Sequence, residues 1–484
     1  MFIEPPQKTL MDKKSCYAIF QAHDSRFDGH LFIGVKTTGI YCRPVCKVKI
    51  PKQENCTFYP SAAAAETQGF RPCLRCRPEL APGLSSVNAC SLLARKAAQL
   101  INSGSLAENN LTWLAQNLGI TDRHLRRVFL TEYGVSPVQY LQTSKLLLAK
   151  SLLTDTRLPI TEIALSVGFG SVRRFNDIFK THYRLSPRDL RKLGHEEKAD
   201  GDITLQLGYR PPYAWDKILN FLEKRAIPGV EMVTNNRYLR TVSLFKGPNK
   251  HQGWVAITNL PQRHALAITI SPALLPVLPT VLTRTRALFD LNCAPLAIYE
   301  KLAPQMPTDC CQPGVRIPGC FDAFEMTVQA VLSQQITVKA ARTLAGRLAQ
   351  KFGEKLETPW EGLTSVFPGP ASLTQASLSQ LDELGLDKTK ARSLLALGQD
   401  VNSGVINFHA ADVLGKLNKL PGFDTWTVNY IAMRALNWPD AFPHPDMVIK
   451  QALQPKTEKE ILALAEAWRP WRAYAAINLW VASN

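Results

Sequence analysis

Four cysteines near the start of the chain are spaced so that they could hold one metal ion. Cys42 and Cys46 form a C-x3-C pair, and Cys73 and Cys76 form a C-x2-C pair. Loops this short direct two thiolates toward one centre, and two such loops supply the four soft ligands that Zn²⁺ prefers. Metal-bound thiolates stay deprotonated at neutral pH and can act as nucleophiles. Spacing alone, however, favours a structural zinc ribbon over a reactive centre.

A second candidate for chemistry is the carboxylate of Asp446. It ends the segment FPHPD (residues 442–446), in which two prolines restrict the backbone. A carboxylate held rigidly can stabilise a developing positive charge or activate a water molecule. The preceding segment LPGFDTWTVNYIAMR (residues 420–434) predicts a helix that starts after a hairpin containing Gly422. Free backbone amides at such a helix start can hold a DNA phosphate.

The 484-residue chain carries a net charge of +17 and is 45% hydrophobic. Its length predicts about two to four domains, each able to bury a core. Every segment is basic except residues 196–202, which predict an acidic linker. Widespread positive charge is compatible with nucleic acid as a partner. The sequence shows neither a basic-then-apolar leader nor an apolar stretch long enough to span a bilayer, so we expect a cytoplasmic protein that does not bind membranes.

Residues 86–195 contain an internal repeat typical of paired helix-turn-helix units. The pattern A-x3-G at residues 115–119 recurs at 164–168, and each copy is followed by an apolar pair four residues apart, 125/129 and 175/179. A small residue followed four positions later by glycine permits a tight turn between helices. The apolar pairs face the core and leave an outer face for DNA, although a solvated basic helical bundle is a plainer interpretation. The candidate DNA-binding residues on that face are Arg123, Arg126, Arg127, Arg173 and Arg174.

The sequences TTGIYCRPVC (residues 37–46) and GFRPCLRC (residues 69–76) closely resemble the metal-binding domain of Ada-type methylation-response proteins. The resemblance implies that the four cysteines bind zinc and that Cys42 irreversibly accepts a methyl group from a DNA phosphotriester. It also places Arg43 and Arg71 beside the DNA. Methylation reduces the negative charge of the thiolate cluster, so affinity for DNA should rise.

The repeat, in particular residues 163–187, resembles the AraC family of bacterial activators. This resemblance implies binding to double-stranded promoter DNA, with RNA polymerase as the protein partner. We therefore expect the protein in the bacterial cytoplasm, associated with the nucleoid.

Residues 203–484 begin with alternating apolar residues, which predict a small antiparallel sheet, and continue from about residue 320 with a helical pattern. They resemble the helix-hairpin-helix superfamily and, more closely, 3-methyladenine DNA glycosylase II. The resemblance implies that Asp446 is the catalytic carboxylate and that Gln335 wedges into the gap left by a flipped nucleotide. Gly422 and Thr427 of the hairpin are implied to bind DNA. The implied base pocket consists of Phe221, Trp426, Tyr430 and Trp480.

Three features of this region depart from patterns found in the superfamily. Trp426 stands where strand-cleaving relatives have a lysine, so no Schiff base can form and a monofunctional glycosylase is predicted. No cysteines follow Asp446, so we expect no iron–sulfur cluster. Asp424 replaces the second glycine of the hairpin, where a side chain should restrict the turn and its charge should weaken phosphate binding.

We therefore expect a multidomain, mainly helical chain with α+β parts, acting as a methylation-switched transcriptional activator and a base-excision glycosylase. The expected regions are a zinc α/β domain (1–84), a double helix-turn-helix domain (86–195), an acidic linker (196–202), an α+β subdomain (203–312) and a helix-hairpin-helix domain (313–484). Two alternatives stay open. One is a regulator whose C-terminal half binds damaged DNA without excising bases. The other is a structural zinc module that only delivers a glycosylase to DNA.

Overall fold

The computed structural model describes residues 12–84, 92–104, 110–192, 203–410 and 412–483. The expected acidic linker, residues 196–202, lies outside the described residues. Within these ranges the chain is mainly helical and contains a four-stranded and a five-stranded sheet. The prediction of a multidomain, mainly helical protein with α+β parts is confirmed. No helix in the described ranges is both long and apolar enough to cross a membrane.

The N-terminal region is a small sheet with two short helices. Its elements are α1 (Lys13–Gln21), β1 (Phe32–Val35), β2 (Ile40–Cys42), β3 (Cys56–Tyr59), α2 (Ala62–Thr67) and β4 (Arg71–Pro72). The strand order is β3-β1-β2-β4, and β4 runs parallel to β2 with Ile40 opposite Arg71. The two strands therefore end side by side, which brings together the cysteines at their C-terminal ends, Cys42 and Cys73.

The helices that follow form two equivalent helix-turn-helix units joined by a long helix. They are α3 (Leu92–Asn102), α4 (Leu111–Asn117), α5 (Asp122–Tyr133), α6 (Pro137–Asp155), α7 (Ile160–Ser166), α8 (Val172–Tyr183) and α9 (Pro187–Lys192). Helices α4 and α5 form the first unit, and α7 and α8 form the second. Thr121 and Ser171 cap the second helix of each unit by accepting a backbone N–H from its third residue. The repeated sequence therefore folds as repeated structure.

A five-stranded antiparallel sheet with flanking helices comes next. Its elements are β5 (Ile203–Gly208), α10 (Trp215–Arg225), β6 (Glu231–Thr234), β7 (Arg237–Lys246), β8 (Asn249–Leu260), β9 (Ala265–Ile270), α11 (Leu278–Leu288) and α12 (Pro295–Leu302). The strand order is β5-β9-β8-β7-β6. Leu266, Ile268 and Ile270 on β9 are fully buried, as their alternation predicts.

The C-terminal region is helical. It consists of α13 (Ala323–Leu332), α14 (Val338–Phe352), α15 (Pro370–Thr374), α16 (Leu378–Glu383), α17 (Lys388–Asn402), α18 (Val413–Leu417), α19 (Thr425–Arg434), α20 (Met447–Ala452), α21 (Glu458–Glu466) and α22 (Arg472–Ala482). Helices α18 and α19 enclose the hairpin that the sequence predicts. Helix α10, which precedes most of the sheet, packs against this region, since Phe221 belongs to its apolar core.

The second helix-turn-helix unit and the five-stranded sheet share one apolar core. Leu152 on α6 and Phe179 on α8 are fully buried and belong to the same cluster as Leu205 on β5 and Ile268 on β9. Apolar surface removed from water in one cluster stabilises both parts together. These two regions are therefore packed against each other rather than joined by a linker alone.

Candidate functional sites

The four predicted metal ligands form one compact cysteine cluster, made of Cys42, Cys46, Cys73 and Cys76. Their sulfur atoms all lie within 4.8 Å of one another. A backbone hydrogen bond from Cys73 to the Tyr41 carbonyl (3.0 Å) fixes one cysteine loop beside the strand that carries the other. Tetrahedral zinc with Zn–S bonds of about 2.3 Å needs sulfurs roughly 3.8 Å apart. The cluster therefore fits zinc.

Backbone N–H groups distinguish the sulfurs of the cysteine cluster. The N–H of Arg43 faces the Cys76 sulfur over 3.4 Å. The backbone N–H of Cys76 donates to the Cys73 sulfur and lowers the pKa of Cys73. Among the described contacts, neither Cys42 nor Cys46 receives a backbone N–H. A hydrogen bond stabilises a thiolate, so the sulfurs of Cys73 and Cys76 are the more stabilised pair.

Arg43 and Arg71 lie next to the cysteine cluster, but the Arg43 side chain is turned inward. Its guanidinium forms a buried ion pair with Asp28 and donates to the Cys76 carbonyl over 3.0 Å. Burial alone would lower the pKa of Arg43, but the charge of Asp28 outweighs it and raises this pKa. Arg71 is half-buried on β4. The Arg43 side chain therefore braces the C-x3-C loop, and its predicted contact with DNA has no support in the structure.

A buried carboxylate connects the cysteine cluster to the helix-turn-helix region. Tyr41, which precedes Cys42, donates its hydroxyl to Glu66 over 2.9 Å, and Thr143 on α6 donates to the other carboxylate oxygen over 2.9 Å. Burial raises the pKa of Glu66 to about 7, and the two hydrogen bonds offset only part of this effect. Glu66 therefore joins the strand that carries Cys42 to the helix that links the two units.

The helix-turn-helix units expose the basic face that the repeat predicts. In each unit the apolar pair on the second helix is fully buried. The five candidate DNA-binding residues, all exposed, are Arg123, Arg126, Arg127, Arg173 and Arg174. Both second helices therefore present arginines to solvent while their apolar sides form the core.

Four aromatic side chains from distant parts of the sequence form one aromatic pocket, made of Phe221, Trp426, Tyr430 and Trp480. Trp426 and Tyr430 stack with ring centres 4.9 Å apart, and Phe221 and Trp480 stack at 6.2 Å. Both pairs are inclined by only 15°. Tyr430 and Trp480 are 6.0 Å apart, so the two stacks adjoin. The structure brings all four predicted pocket residues together.

Both oxygens of Asp446 accept hydrogen bonds at the aromatic pocket. Oδ1 accepts the backbone N–H groups of Val448 (3.0 Å) and Ile449 (3.3 Å) at the start of α20. The indole N–H of Trp480 donates to Oδ1 over 3.0 Å, and that of Trp426 donates to Oδ2 over 2.9 Å. Four donors suit an ionised carboxylate, which only accepts hydrogen bonds. The carboxylate and the pocket are therefore held as one unit.

Two arginines that the sequence analysis did not identify lie against the aromatic pocket. The Arg225 guanidinium lies 3.8 Å from the centre of the Phe221 ring, and Arg434 donates to the Tyr430 hydroxyl over 2.8 Å. Burial alone would raise the pKa of Tyr430, but the two guanidinium groups outweigh it and lower this pKa. Each arginine follows its aromatic partner by four residues, so helical spacing is the signal that could have found them.

The hairpin before α19 requires Gly422 and uses Asp424 as a helix cap. Gly422 has φ +77°, and a Cβ there would lie 2.5 Å from the Ser393 hydroxyl. Asp424 has φ −92°, and one carboxylate oxygen accepts the backbone N–H (2.8 Å) and the hydroxyl (2.6 Å) of the buried Thr427. The expectation that Asp424 restricts the turn does not hold, because its backbone adopts a conformation open to any residue. Its carboxylate accepts a backbone N–H that has no acceptor within the first turn of the helix.

The loop between α13 and α14 presents the predicted wedge. Gln335 is exposed, with φ +57°, and the side chains of Ile336 and Val338 beside it are 36% and 41% exposed. Gln334 anchors this loop to the hairpin by donating to the Gly422 carbonyl over 2.8 Å. The loop and the hairpin therefore form one surface, on which an exposed side chain with apolar neighbours could separate stacked bases.

Four family models match successive parts of the chain. They are the metal binding domain of Ada (residues 15–79), a helix-turn-helix domain (114–193), the AlkA N-terminal domain (204–322) and the HhH-GPD superfamily base excision DNA repair protein (328–458). The cysteine cluster lies in the first match. The hairpin and Asp446 lie in the last.

Relatives match both the whole chain and its parts. A Mycobacterium tuberculosis protein described as a probable bifunctional transcriptional activator/DNA repair enzyme AlkA is 34% identical over 97% of this chain and 96% of its own length. DNA-3-methyladenine glycosylase 2 of Escherichia coli is 34% identical over 57% of this chain and 95% of its own. The bifunctional transcriptional activator/DNA repair enzyme AdaA of Bacillus subtilis is 30% identical over 36% of this chain and 81% of its own.

Proposed function

Because the chain belongs to the family of bifunctional transcriptional activators and DNA repair enzymes that unite an Ada-type metal-binding domain with an AlkA-type glycosylase, we propose that it activates genes in response to DNA methylation and excises alkylated bases such as 3-methyladenine. The observation that carries the glycosylase half is the placement of Asp446, whose carboxylate is fixed beside four aromatic rings by two indole N–H groups and a helix start.

The aromatic pocket supports binding of a flipped base. Phe221, Tyr430 and Trp480 are each 6% exposed, and the parallel rings of Phe221 and Trp480 are 6.2 Å apart. A planar base needs about 3.5 Å on each side. Because the two ring planes can be no farther apart than their centres, a base can lie between them only if the rings move apart, and until then the pocket excludes water.

Asp446 supplies the charge that the reaction needs. As the bond between C1′ of the sugar and the base nitrogen breaks, the bonding electrons leave with the base and positive charge develops on the sugar. The fixed carboxylate stabilises that charge. It then accepts a proton from the water molecule whose oxygen bonds to C1′. Because Trp426 stands where a lysine would form a Schiff base, the reaction ends with an abasic site and an intact strand.

Release of free methylated purines from alkylated duplex DNA tests this assignment. We expect Asp446→Asn to slow release by about 10²–10⁴-fold with DNA binding retained, because the hairpin and Gln335 are unchanged. Release by the variant at the wild-type rate would contradict the catalytic role. If the wild type binds DNA but releases no base, the C-terminal half instead binds damaged DNA without excising bases. Borohydride should trap no covalent complex between the chain and DNA.

The cysteine cluster supports a role as a methyl acceptor. Bound zinc would keep the four sulfurs deprotonated while leaving the cluster negatively charged. We assign the acceptor to Cys42, one of the two sulfurs that receive no backbone N–H among the described contacts. Its sulfur bonds to the methyl carbon of a phosphotriester, the carbon–oxygen bond breaks, and a phosphodiester leaves. Neutralising one thiolate reduces repulsion from DNA and raises affinity.

Mass spectrometry of the full chain after incubation with methylated DNA tests the acceptor. The chain should gain the mass of one methyl group, and peptide mapping should place it on Cys42. A methyl group on Cys46 would overturn that assignment, because Cys46 shares the absence of a backbone N–H. A chain that gains no mass would behave as a structural zinc module.

The exposed arginines of the helix-turn-helix units support promoter recognition. We propose that they bind double-stranded DNA, and that the bound protein recruits RNA polymerase in the nucleoid of a bacterial cytoplasm. The functional divisions proposed are residues 1–84, 86–195, 203–312 and 313–484, and residues 196–202 link the second division to the third. Transcription reconstituted with purified polymerase should rise when the chain has been methylated, and Arg173→Gln should reduce that rise by weakening promoter binding.

A further inference from the structure

A large groove lies between the helix-turn-helix region and the glycosylase region. It has a volume of about 1420 Å³. Helices α3 and α11 line it and contact each other, with Thr280 donating to the Ser103 carbonyl over 2.7 Å. Neither the aromatic pocket nor the five exposed arginines of the units contribute to its walls. The groove is therefore separate from the sites described above.

The groove has an excess of positive charge. Several lining cations are neutralised by ion pairs, such as Arg284 with Asp322. Among the described residues, the lining cations that form no ion pair are Arg95, Lys96, Lys145, Lys246 and Arg286. Asp290 is the lining acid that forms no ion pair within the described ranges, and burial raises its pKa to about 6. An anionic ligand would therefore meet attraction from several cations and repulsion from one acid.

Arg286 on α11 is half-buried and lies at the centre of this charge. Its Nη1 atom is buried and has no hydrogen-bond partner among the described residues. Burial lowers the pKa of Arg286 to about 10, and it also lowers the pKa values of Arg95 and Lys96 on α3. Cations that are partly removed from water and form no ion pair are destabilising unless an anion contacts them. An anion bound here would relieve that cost on both helices.

Polar side chains beside Arg286 complete the wall. Tyr140, which interacts electrostatically with Arg286, accepts a hydrogen bond from Asn102 over 3.3 Å. Ser144 donates to the side-chain amide oxygen of Asn102 over 3.1 Å. Guanidinium and ammonium groups together with amide and hydroxyl groups are the donors that bind phosphate oxygens.

We propose that the groove binds a phosphate-bearing ligand, held by Arg286 on α11 and by Arg95 and Lys96 on α3. The ligand would bridge the helix-turn-helix region and the glycosylase region, since its contacts come from both. It would therefore stabilise the packing of one region on the other.

Calorimetric titration of the zinc-loaded full chain with inorganic pyrophosphate tests the proposal. We expect saturable binding that Arg286→Gln weakens by at least about tenfold. The matched control is Arg263→Gln, which removes the same charge from an exposed position outside the groove. Equal affinities for Arg286→Gln and the wild type, equal losses in both variants, or no binding to the wild type would each overturn the proposal.

Thermal unfolding distinguishes a loss of ligand binding from a defect in folding. Without ligand, Arg286→Gln should unfold at the same temperature as the wild type or higher, because it removes a half-buried charge that forms no ion pair with the described residues. Pyrophosphate should raise the unfolding temperature of the wild type by about 2–4 °C and that of the variant by less. If Arg286→Gln fails to fold, Lys96→Gln is used in both measurements, and an unchanged response in that variant overturns the proposal.

Titrations with ADP and with a short single-stranded oligonucleotide identify the source of the phosphate. Tighter binding of ADP than of pyrophosphate, abolished by Arg286→Gln, would indicate a free nucleotide. Tighter binding of the oligonucleotide, with the same dependence, would indicate the backbone of a nucleic acid.

Discussion

The cysteine cluster and the aromatic pocket each bring together side chains that can carry negative charge, but they are assembled in different ways. The cysteine cluster comes from residues 42–76, and the pairing of β2 with β4 places its two loops side by side. The aromatic pocket draws on helices that begin at residues 215 and 472. One site therefore depends on local strand register and a metal, whereas the other depends on long-range packing.

This difference affects what each site tolerates. A locally built metal site loses its structure when the metal is removed, because the ion supplies much of the folding free energy of such small domains. A pocket built by packing loses function by degrees, because each contact contributes separately. The following predictions would break or sharpen this contrast, and they run from the largest expected effect to the smallest.

Removal of zinc with a strong chelator should separate the two sites most clearly. Structural zinc contributes about 10–16 kcal/mol in small zinc domains, so residues 12–84 should become sensitive to proteolysis and methyl transfer should stop. Release of methylated purines should continue at nearly the wild-type rate. A parallel loss of both activities on chelation would show that the pocket depends on the metal site.

Glu66 should make the stability of the chain fall as the pH rises. Its pKa of about 7 in the folded state exceeds the usual value near 4.5. The contribution of protonated Glu66 to the free energy of unfolding is therefore complete below about pH 4.5 and is lost as the pH rises through about 7. The loss amounts to about 3 kcal/mol.

Thermal unfolding of the wild type and Glu66→Gln across this pH range measures the effect. The unfolding temperature of the variant should vary less with pH, because glutamine cannot ionise. Identical pH profiles would show that the link from Tyr41 through Glu66 to Thr143 does not titrate as the structure indicates.

Replacement of one pocket indole should reduce catalysis without removing the aromatic ring. Trp480→Phe and Trp426→Phe each delete one N–H donor to Asp446 and keep a ring for stacking. A hydrogen bond to a charged group contributes about 1.5–3 kcal/mol, which corresponds to roughly 10–100-fold in kcat. Single-turnover base release should show this loss with little change in KM. A change in KM alone would mean that the indoles bind the base but do not position the carboxylate.

Arg225 should have a smaller effect, which is on the ratio of cationic to neutral bases that the pocket releases. Its guanidinium lies 3.8 Å from the centre of the Phe221 ring and repels a cationic base there. We expect Arg225→Leu to raise the ratio of cationic to neutral bases released by about 2–10-fold. Arg225→Lys keeps the charge and should leave the ratio near that of the wild type. Equal ratios in all three proteins would exclude an electrostatic role in selection.

The contrast between the two sites also explains what the sequence could predict. Cys42, Cys46, Cys73 and Cys76 form two short pairs, and a short loop leaves few ways to arrange its ends. The buried faces of the helix-turn-helix units were predictable for the same reason, since their apolar pairs lie one helical turn apart. The aromatic pocket was predicted by resemblance, because nothing in local spacing connects Phe221 with Trp480.

The features that local reasoning missed involve partners far away in the sequence. Asp28 forms an ion pair with Arg43 inside the protein, and no spacing rule connects the two residues. The prediction for Asp424 considered only the glycine that it replaces. An aspartate directly before a helix is also a common N-cap, and this signal was overlooked. The groove was unpredictable because its cations become neighbours only when the helix-turn-helix region packs against the glycosylase region.

The apolar core shared by α6, α8, β5 and β9 has a consequence for how such chains evolve. Two genes can fuse easily while each product covers its own apolar surface. Here Phe179 and Leu205 lie in the same cluster, so each half covers part of the apolar surface of the other. A stop codon between them would leave two products with exposed apolar faces, which are prone to aggregate. The shared core therefore opposes separation of the two halves into independent proteins.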